Sequence, residues 1–287
     1  MSAELQWQVG DVRITRILEQ EFEMPAERLL DRYSAQRLEE HGSWLRPHHL
    51  GVGGELRMAY QSFLIESAGK RIVVDPGRGD DRPLPAGRPS VRTDYLANLL
   101  AVLDPSDVDL VVCTHLHYDH IGWNVRQVDG EWQPTFPRAR YLFSRPDFRF
   151  WSEEGQPSPN VDLTYGVDMI VGFGRHDLVE PDHRLTPEVS LFATPGHSPG
   201  HASIRISSAG QEAVITGDAA HHPVQLAEPG WTTKADSDAA LAVKTRTRLA
   251  EAVVGRDTLV IGTHFAAPCA GVLRATNQGY TRLVSEN

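Results

Sequence analysis

Thr114-His115-Leu116-His117-Tyr118-Asp119-His120-Ile121-Gly122 is the stretch on which the reading of this chain turns. Three imidazoles and a carboxylate stand within six residues, directly after the apolar run Asp109-Leu110-Val111-Val112-Cys113. Such a run reads as a buried strand, which places the polar cluster on the loop at its end. A rigid sheet can hold side chains there in fixed geometry. His and Asp are good ligands for Zn²⁺, and alternation lets His115 and His117 point the same way. A solvated polar turn accounts for one such histidine, but poorly for the cluster.

Working outward, residues 91–103 read as a helix ahead of that strand. Upstream, Ser62-Phe63-Leu64-Ile65-Glu66 and Arg71-Ile72-Val73-Val74-Asp75 flank Ser67-Ala68-Gly69-Lys70 and read as a β-hairpin. Downstream, Val189-Ser190-Leu191-Phe192-Ala193, Ala202-Ser203-Ile204-Arg205-Ile206 and Ala213-Val214-Ile215-Thr216 read as strands, with a turn at Ala209-Gly210. Residues 237–254 carry Ala, Leu and Val at helical spacing, and Thr258-Leu259-Val260-Ile261 forms a late strand. Three more strand ends carry donors: Thr194-Pro195-Gly196-His197-Ser198-Pro199-Gly200-His201, Thr216-Gly217-Asp218 and Gly262-Thr263-His264-Phe265. The Pro- and Gly-rich stretches 76–89 and 154–160 read as exposed loops, and neither looks like a linker, so one domain over 1–287 is expected. Strands come in two batches, each with helices. Two sheets packed face to face with helices outside satisfy that pattern, as do other mixed architectures.

Bulk properties narrow the function classes. The 287 residues are 40% hydrophobic and 23% charged, ordinary globular proportions that allow a substantial core. A formal net charge of −10 argues against a nucleic-acid partner, which would need a basic surface. No apolar run approaches the length of a membrane span. Met1-Ser2-Ala3-Glu4-Leu5-Gln6 lacks the basic and apolar regions of a secretory signal, and Cys113 and Cys269 imply no disulfide framework, so a cytoplasmic location is expected. Cys113 reads as a buried small hydrophobe.

The HxHxDH run, the later His, the Asp and the final His resemble, in order, the motifs of the metallo-β-lactamase superfamily, over residues 61–265. That resemblance implies an α/β fold, an αββα sandwich with a dinuclear metal site on one edge. His115, His117 and His197 would hold the first metal; Asp119, His120 and His264 the second; Asp218 would bridge them. Asp75, in Val73-Val74-Asp75-Pro76-Gly77, matches the family's early Asp turn and would accept a hydrogen bond from a ligand imidazole. The implied chemistry is a metal-dependent hydrolase, in which a bridging water loses its proton near neutral pH and attacks an electrophilic carbonyl or phosphorus. Asp119 would shuttle the proton to the leaving group. Zinc is the expected ion, two per chain; manganese, cobalt and iron also accept such donors.

Within the family, Asp218 stands where one lactamase branch carries cysteine, and His117 where flavodiiron proteins carry glutamate. The resemblance narrows to N-acyl homoserine lactonases, glyoxalase II-like thioesterases and methyl parathion hydrolase-like phosphotriesterases. Three residues past Asp218 the lactonases place a tyrosine; here His221 resembles the parathion-hydrolase pattern. His221 reads either as an oxyanion or substrate contact or as a structural histidine, and His222 and His201 as supporting or structural. Trp123, Phe148, Trp151 and Trp231 are candidate pocket walls, with core packing as the alternative. Residues 161–176 could serve as a lid or a homodimer contact. The expected partner is a small-molecule substrate, a lactone first, then a phosphotriester or thioester. A non-catalytic metal-binding module is the reading from another class.

Overall fold

Along Ile72-Val73-Val74 the side chains alternate between two cores, because successive Cβ atoms of a strand point to opposite faces. Ile72 and Val74 join an apolar cluster with Leu191, Ile204 and Ile215, whereas Val73 joins a second cluster with Tyr95 and Leu99. A strand buried on both faces must lie in a middle layer. Burying such a side chain contributes about 1.5–3 kcal/mol, so this alternation fixes the register firmly.

The computed structural model describes residues 5–80, 82–88, 91–155, 158–276 and 281–285. A seven-stranded sheet runs in chain order: β1 (Gln6–Val9), β2 (Val12–Met24), β3 (Leu56–Ser67), β4 (Lys70–Val74), β5 (Leu110–Val112), β6 (Arg140–Ser144) and β7 (His176–Val179). The pairs from β1 to β4 are antiparallel and those from β4 to β7 parallel. A six-stranded sheet follows, again in chain order: β8 (Val189–Ala193), β9 (Ala202–Ser208), β10 (Gln211–Ile215), β11 (Leu259–Ile261), β12 (Ala270–Ala275) and β13 (Thr281–Val284). Their inner faces share one core. Helix α1 (Tyr95–Val102) covers the outer face of the first sheet through Tyr95 and Leu99, and helix α2 (Ala239–Val253) covers the second through Leu249, Ala250 and Val253. The result is the αββα sandwich.

The hairpin expected around Ala68-Gly69 is present, with both turn residues at positive φ as a two-residue hairpin turn requires. β1 and most of β2 were not anticipated. The alternation of β2 is broken by a register shift between Leu18 and Gln20, and there Glu19 is buried in the bulge. Its carboxylate accepts from Arg78 N, Gly79 N and Trp123 Nε1 at 2.8, 3.2 and 2.9 Å. This ties down the loop after β4 and corrects the first part of its reading as exposed: Pro76, Gly77, Gly79, Arg82 and Leu84 are buried, whereas Pro83, Ala86 and Gly87 are exposed. Positions 81, 89, 156 and 157 of the two expected loops lie outside the described residues. Residues 161–176 pack into the outer core and do not line the cavity over the donor residues. Val167 and Ile170 are fully buried in the outer core, Gly166 packs against Ile121, and Phe173 is the exposed aromatic.

Candidate metal centre

Every donor-bearing loop leaves the same edge of the sandwich. The segment after β5 carries His115, His117, Asp119 and His120; the loops after β8, β10 and β11 carry His197, Asp218 and His264. Their ligand atoms form two groups. In His115, His117, His197 and Asp218 they lie within 4.8 Å of one another, as do those of Asp119, His120 and His264. Asp218 faces both groups. Its Oδ2 stands 3.6 Å from His115 Nε2 and 3.2 Å from His197 Nε2, and its Oδ1 stands 3.3 Å from His120 Nε2 and 3.2 Å from His264 Nε2. Asp119 Oδ2 stands 3.7 Å from His264 Nε2, on the cavity side.

The donor atoms fit a divalent cation. His117 Nδ1 and His197 Nε2 meet at 2.9 Å, and His120 Nε2 and His264 Nε2 at 3.2 Å. A neutral imidazole has one donor and one acceptor nitrogen, so each pair shares at most one proton and the remaining lone pairs converge. His115 Nε2 and Asp218 Oδ1 are buried without a hydrogen-bond partner, an expensive arrangement in a protein interior that a cation relieves.

Behind the donors stands a frame that orients the rings of His120, His197 and His264. Asp75 Oδ2 lies 2.9 Å from His120 Nδ1, and Asp75 accepts from Thr114 N and Thr114 Oγ1 at 2.7 and 2.8 Å. Asp75 sits at φ 51°, a left-handed conformation that Asp tolerates better than most residues. Ala59 O stands 2.9 Å from His264 Nδ1. Asp236 Oδ1 stands 3.0 Å from His197 Nδ1, while Asp236 Oδ2 accepts from Thr233 N at 2.9 Å. His201 Nε2 accepts from Asp218 N at 2.8 Å and its Nδ1 meets Thr194 Oγ1, a supporting place as expected. His222 bonds the His49 carbonyl, away from the donors. His221 Nε2 stands 3.0 Å from Asp218 Oδ2, and its ring lines the cavity parallel to that of His264.

Electrostatics follow from packing these rings around one carboxylate. Burial raises the pKa of Asp218, but the rings of His120, His221 and His264 outweigh it and hold the group well below the usual carboxylate range. Burial lowers His197, yet hydrogen bonds to Asp218 and Asp236 push it up to about 9. His115 and His117 are held well below the usual imidazole range, first by burial and then by neighbouring rings.

A cavity of about 480 Å³ opens over the donors. Its apolar wall comes from Phe22, Met24, Leu29, Met58 and Leu84, in segments that carried no motif. Trp123, Phe148, Trp151 and Trp231 do not line it. Trp123 stacks on Tyr95 in the core, Phe148 on His176, and Trp231 packs against Tyr33 and His41. Asp236 was also missed, since beside Asp238, which caps α2 by accepting from Leu241 N, it reads as a second capping residue. One signal was present. Arg246 shares the apolar stripe of α2 with Ala242, Leu249, Ala250 and Val253, and a buried arginine calls for acceptors.

Residues 57–271 match the metallo-beta-lactamase superfamily, well over half of the 287, and the chain belongs to that family. N-acyl homoserine lactonase AiiA of Bacillus thuringiensis subsp. kurstaki is 25% identical over 173 residues, covering 55% of this chain and 62% of its own. An N-acyl homoserine lactonase of Bacillus cereus is 28% identical over 161 residues, covering 56% and 57%. The chain thus matches less than two thirds of the length of these relatives. Among solved structures, the hydrolase AbOPH of the beta lactamase superfamily superposes with a TM-score of 0.83 at 22% identity, covering 100% of this chain and 98% of its own. AidC, a dizinc quorum-quenching lactonase, does so with a TM-score of 0.76 at 17% identity, covering 99% and 97%. At these identities the two structures establish the fold.

Proposed function

We propose that this member of the metallo-beta-lactamase superfamily is a dizinc hydrolase of ester-type small molecules, with a lactone as the leading substrate. The observation that carries the reading is Asp218, whose two oxygens face two separate donor groups. His115, His117 and His197 would hold one ion, Asp119, His120 and His264 the other, and Asp218 both. When bound, such a pair lowers the pKa of a shared water to about 7 and polarises the oxygen of the electrophile.

The chain's own side chains supply orientation and proton handling. Asp75 and Asp236 hold the rings of His120 and His197 with their Nε2 atoms toward the centre. Asp119, with 14% of its side chain exposed against 3% for Asp218, is the more exposed of the two carboxylates that line the cavity and would carry a proton to the leaving oxygen. His221 donates to Asp218 through Nε2 and presents its ring to the cavity as a contact for the substrate. The wall of Phe22, Met24, Leu29 and Met58 suits an acyl or alkyl arm. His221, where the lactonases place tyrosine, favours a phosphotriester as the second reading.

Steady-state turnover of the zinc-loaded protein on acyl-homoserine and aromatic lactones, an aryl phosphotriester, a glutathione thioester and a β-lactam tests this. A lactone with kcat/KM of about 10⁴ M⁻¹s⁻¹ or more, abolished by a chelator and strongly reduced in Asp119→Asn, is expected. A phosphotriester preferred over every lactone would replace the leading substrate. Absence of turnover on the whole panel would favour a non-catalytic metal-binding module.

A further inference from the structure

The cavity carries a charge pattern that hydrolysis of a neutral ester does not require. Arg28, Arg78, Arg88 and Lys234 line it, and its carboxylates among the described residues are Asp119 and Asp218, both committed to the donor cluster. Elsewhere on the surface several cations sit against acids, Arg13 on Glu66 at 2.6 Å, Arg57 on Glu23 at 2.8 Å and Arg140 on Asp177 at 2.6 Å, while others such as Arg184, which donates to Pro187 O at 3.4 Å, stand singly and apart from one another. Three of the four cavity cations have no carboxylate within ion-pair distance among the described residues. Among the described residues the Arg88 guanidinium donates to neutral acceptors, Pro85 O at 2.9 Å, Pro159 O at 2.6 Å and Asn160 Oδ1 at 2.8 Å, and lies over the Tyr118 ring. Lys234 Nζ donates to the Glu27 carbonyl at 2.8 Å. Arg28 is exposed on the same wall as Lys234, where Thr233 pairs with Leu30 across a short antiparallel ladder.

These cations stand on a chain whose net charge is −10, so they are not part of a generally basic surface. Divalent ions at the donor cluster would add to their field instead of cancelling it. Like charges gathered around one concave site repel one another unless an anion joins them. We infer that the substrate carries, besides its scissile ester, an anionic oxyacid group, a carboxylate or a phosphate, seated against Arg28, Arg88 and Lys234. The identity of the reacting bond rests on the hydrolase reading above; recognition of the anion does not. Both sources present the same resonance-delocalised oxygens to the cations. The apolar wall would then hold the segment linking anion to ester.

The test uses the zinc-loaded full chain and two independent readouts. Calorimetric titration compares butanoate with glutarate and 4-phosphonobutanoate, ligands that share one carboxylate and differ in a second anion. Kinetics compare 4-nitrophenyl pentanoate with the mono-4-nitrophenyl ester of glutaric acid. We expect the second anion to improve binding and kcat/KM by about tenfold or more, and the gain to shrink as salt rises from about 0.05 to about 0.5 M. In Arg28→Gln/Lys234→Gln the anionic-to-neutral ratio should fall toward one. Arg88 is left intact, because it ties residues 85–88 to Pro159 and Asn160. Whichever of glutarate and 4-phosphonobutanoate binds more tightly identifies the oxyacid. Selective binding of glutarate and 4-phosphonobutanoate without turnover of either ester would keep the anion site and remove acyclic aryl esters from the hydrolase reading. Turnover of both esters at equal kcat/KM, with no gain in binding from the second anion, would overturn the anion site and leave hydrolysis standing.

Discussion

Asp236→Asn separates a carboxylate that tunes the metal centre from one that only braces a loop. Asp236 Oδ1 stands 3.0 Å from His197 Nδ1 and accepts from Thr233 Oγ1 at 3.0 Å; Oδ2 accepts from Thr233 N at 2.9 Å and lies 3.8 Å from Arg246 Nη2. The side chain is fully buried. An amide reproduces only half of this. With its oxygen toward His197, its NH₂ meets the Thr233 N–H; flipped, it meets the His197 N–H. Either way a buried donor loses its acceptor, which costs about 1–3 kcal/mol. The Arg246 contact is too long to add a full hydrogen bond, and that guanidinium keeps Ala219 O, Pro229 O and Trp231 O. The metal-free variant should therefore be about 1–3 kcal/mol less stable in urea unfolding. Losing the anion behind His197 should also weaken zinc binding by about 10–100-fold, read by competition with a chromophoric chelator. Wild-type zinc affinity in a variant that has lost stability would refute the reasoning and leave Asp236 a brace.

Three further outcomes follow from the same geometry. In the metal-free protein His197 holds a proton up to about pH 9, and a cation must displace it, so zinc affinity should rise with pH until about 9. Binding at pH 7.5 should release at least one proton, since against burial the Asp218 carboxylate shifts His120 and His264 upward as well, and a binding enthalpy independent of the buffer's ionisation enthalpy would contradict this. Burial lowers His49 to about 3 and His222 to about 4, so below pH 6.5 the unfolded chain takes up protons that the folded chain refuses. The stability is present above that pH and lost below it, about 2 kcal/mol for each ring between pH 7.5 and 5. His222→Gln should flatten the pH dependence of urea unfolding by about that amount, and an unchanged slope would count against it. Gly217 sits at φ 53°, where an added Cβ would lie 2.5 Å from His201 Nε2, the atom that accepts from Asp218 N. Gly217→Ala should cost at least about 1–2 kcal/mol and weaken zinc binding; a variant matching wild type in both would show that this turn yields easily.

Local order was legible wherever one segment holds both the pattern and its consequence. Ile72-Val73-Val74 and Val111-Val112 announce doubly buried strands, Ala68-Gly69 announces its hairpin turn, and the spacing of Ala242, Leu249 and Val253 announces α2. A polar donor after an apolar run is likewise a local signal, and His115, His117, Asp119, His120, His197, Asp218 and His264 could all be named from it. β2 escaped because a bulge at Leu18/Gln20 breaks its period of two, and the first part of the loop after β4 was misjudged because Glu19, 59 residues from Arg78, is what buries it.

From sequence alone come the chemical identity of the donors and their places at strand ends, since both are properties of short segments. Tertiary structure alone decides which donors meet. His120 and His264 are 144 residues apart, His117 and His197 80, and Asp236 reaches His197 only because α2 and the second sheet close the gap. The cavity wall is likewise assembled from Phe22, Arg28, Leu84 and Lys234, segments with no motif of their own. Periodicity records which face of an element is buried and not which element buries it, so pairings across the sandwich emerge only when both sheets commit to one core.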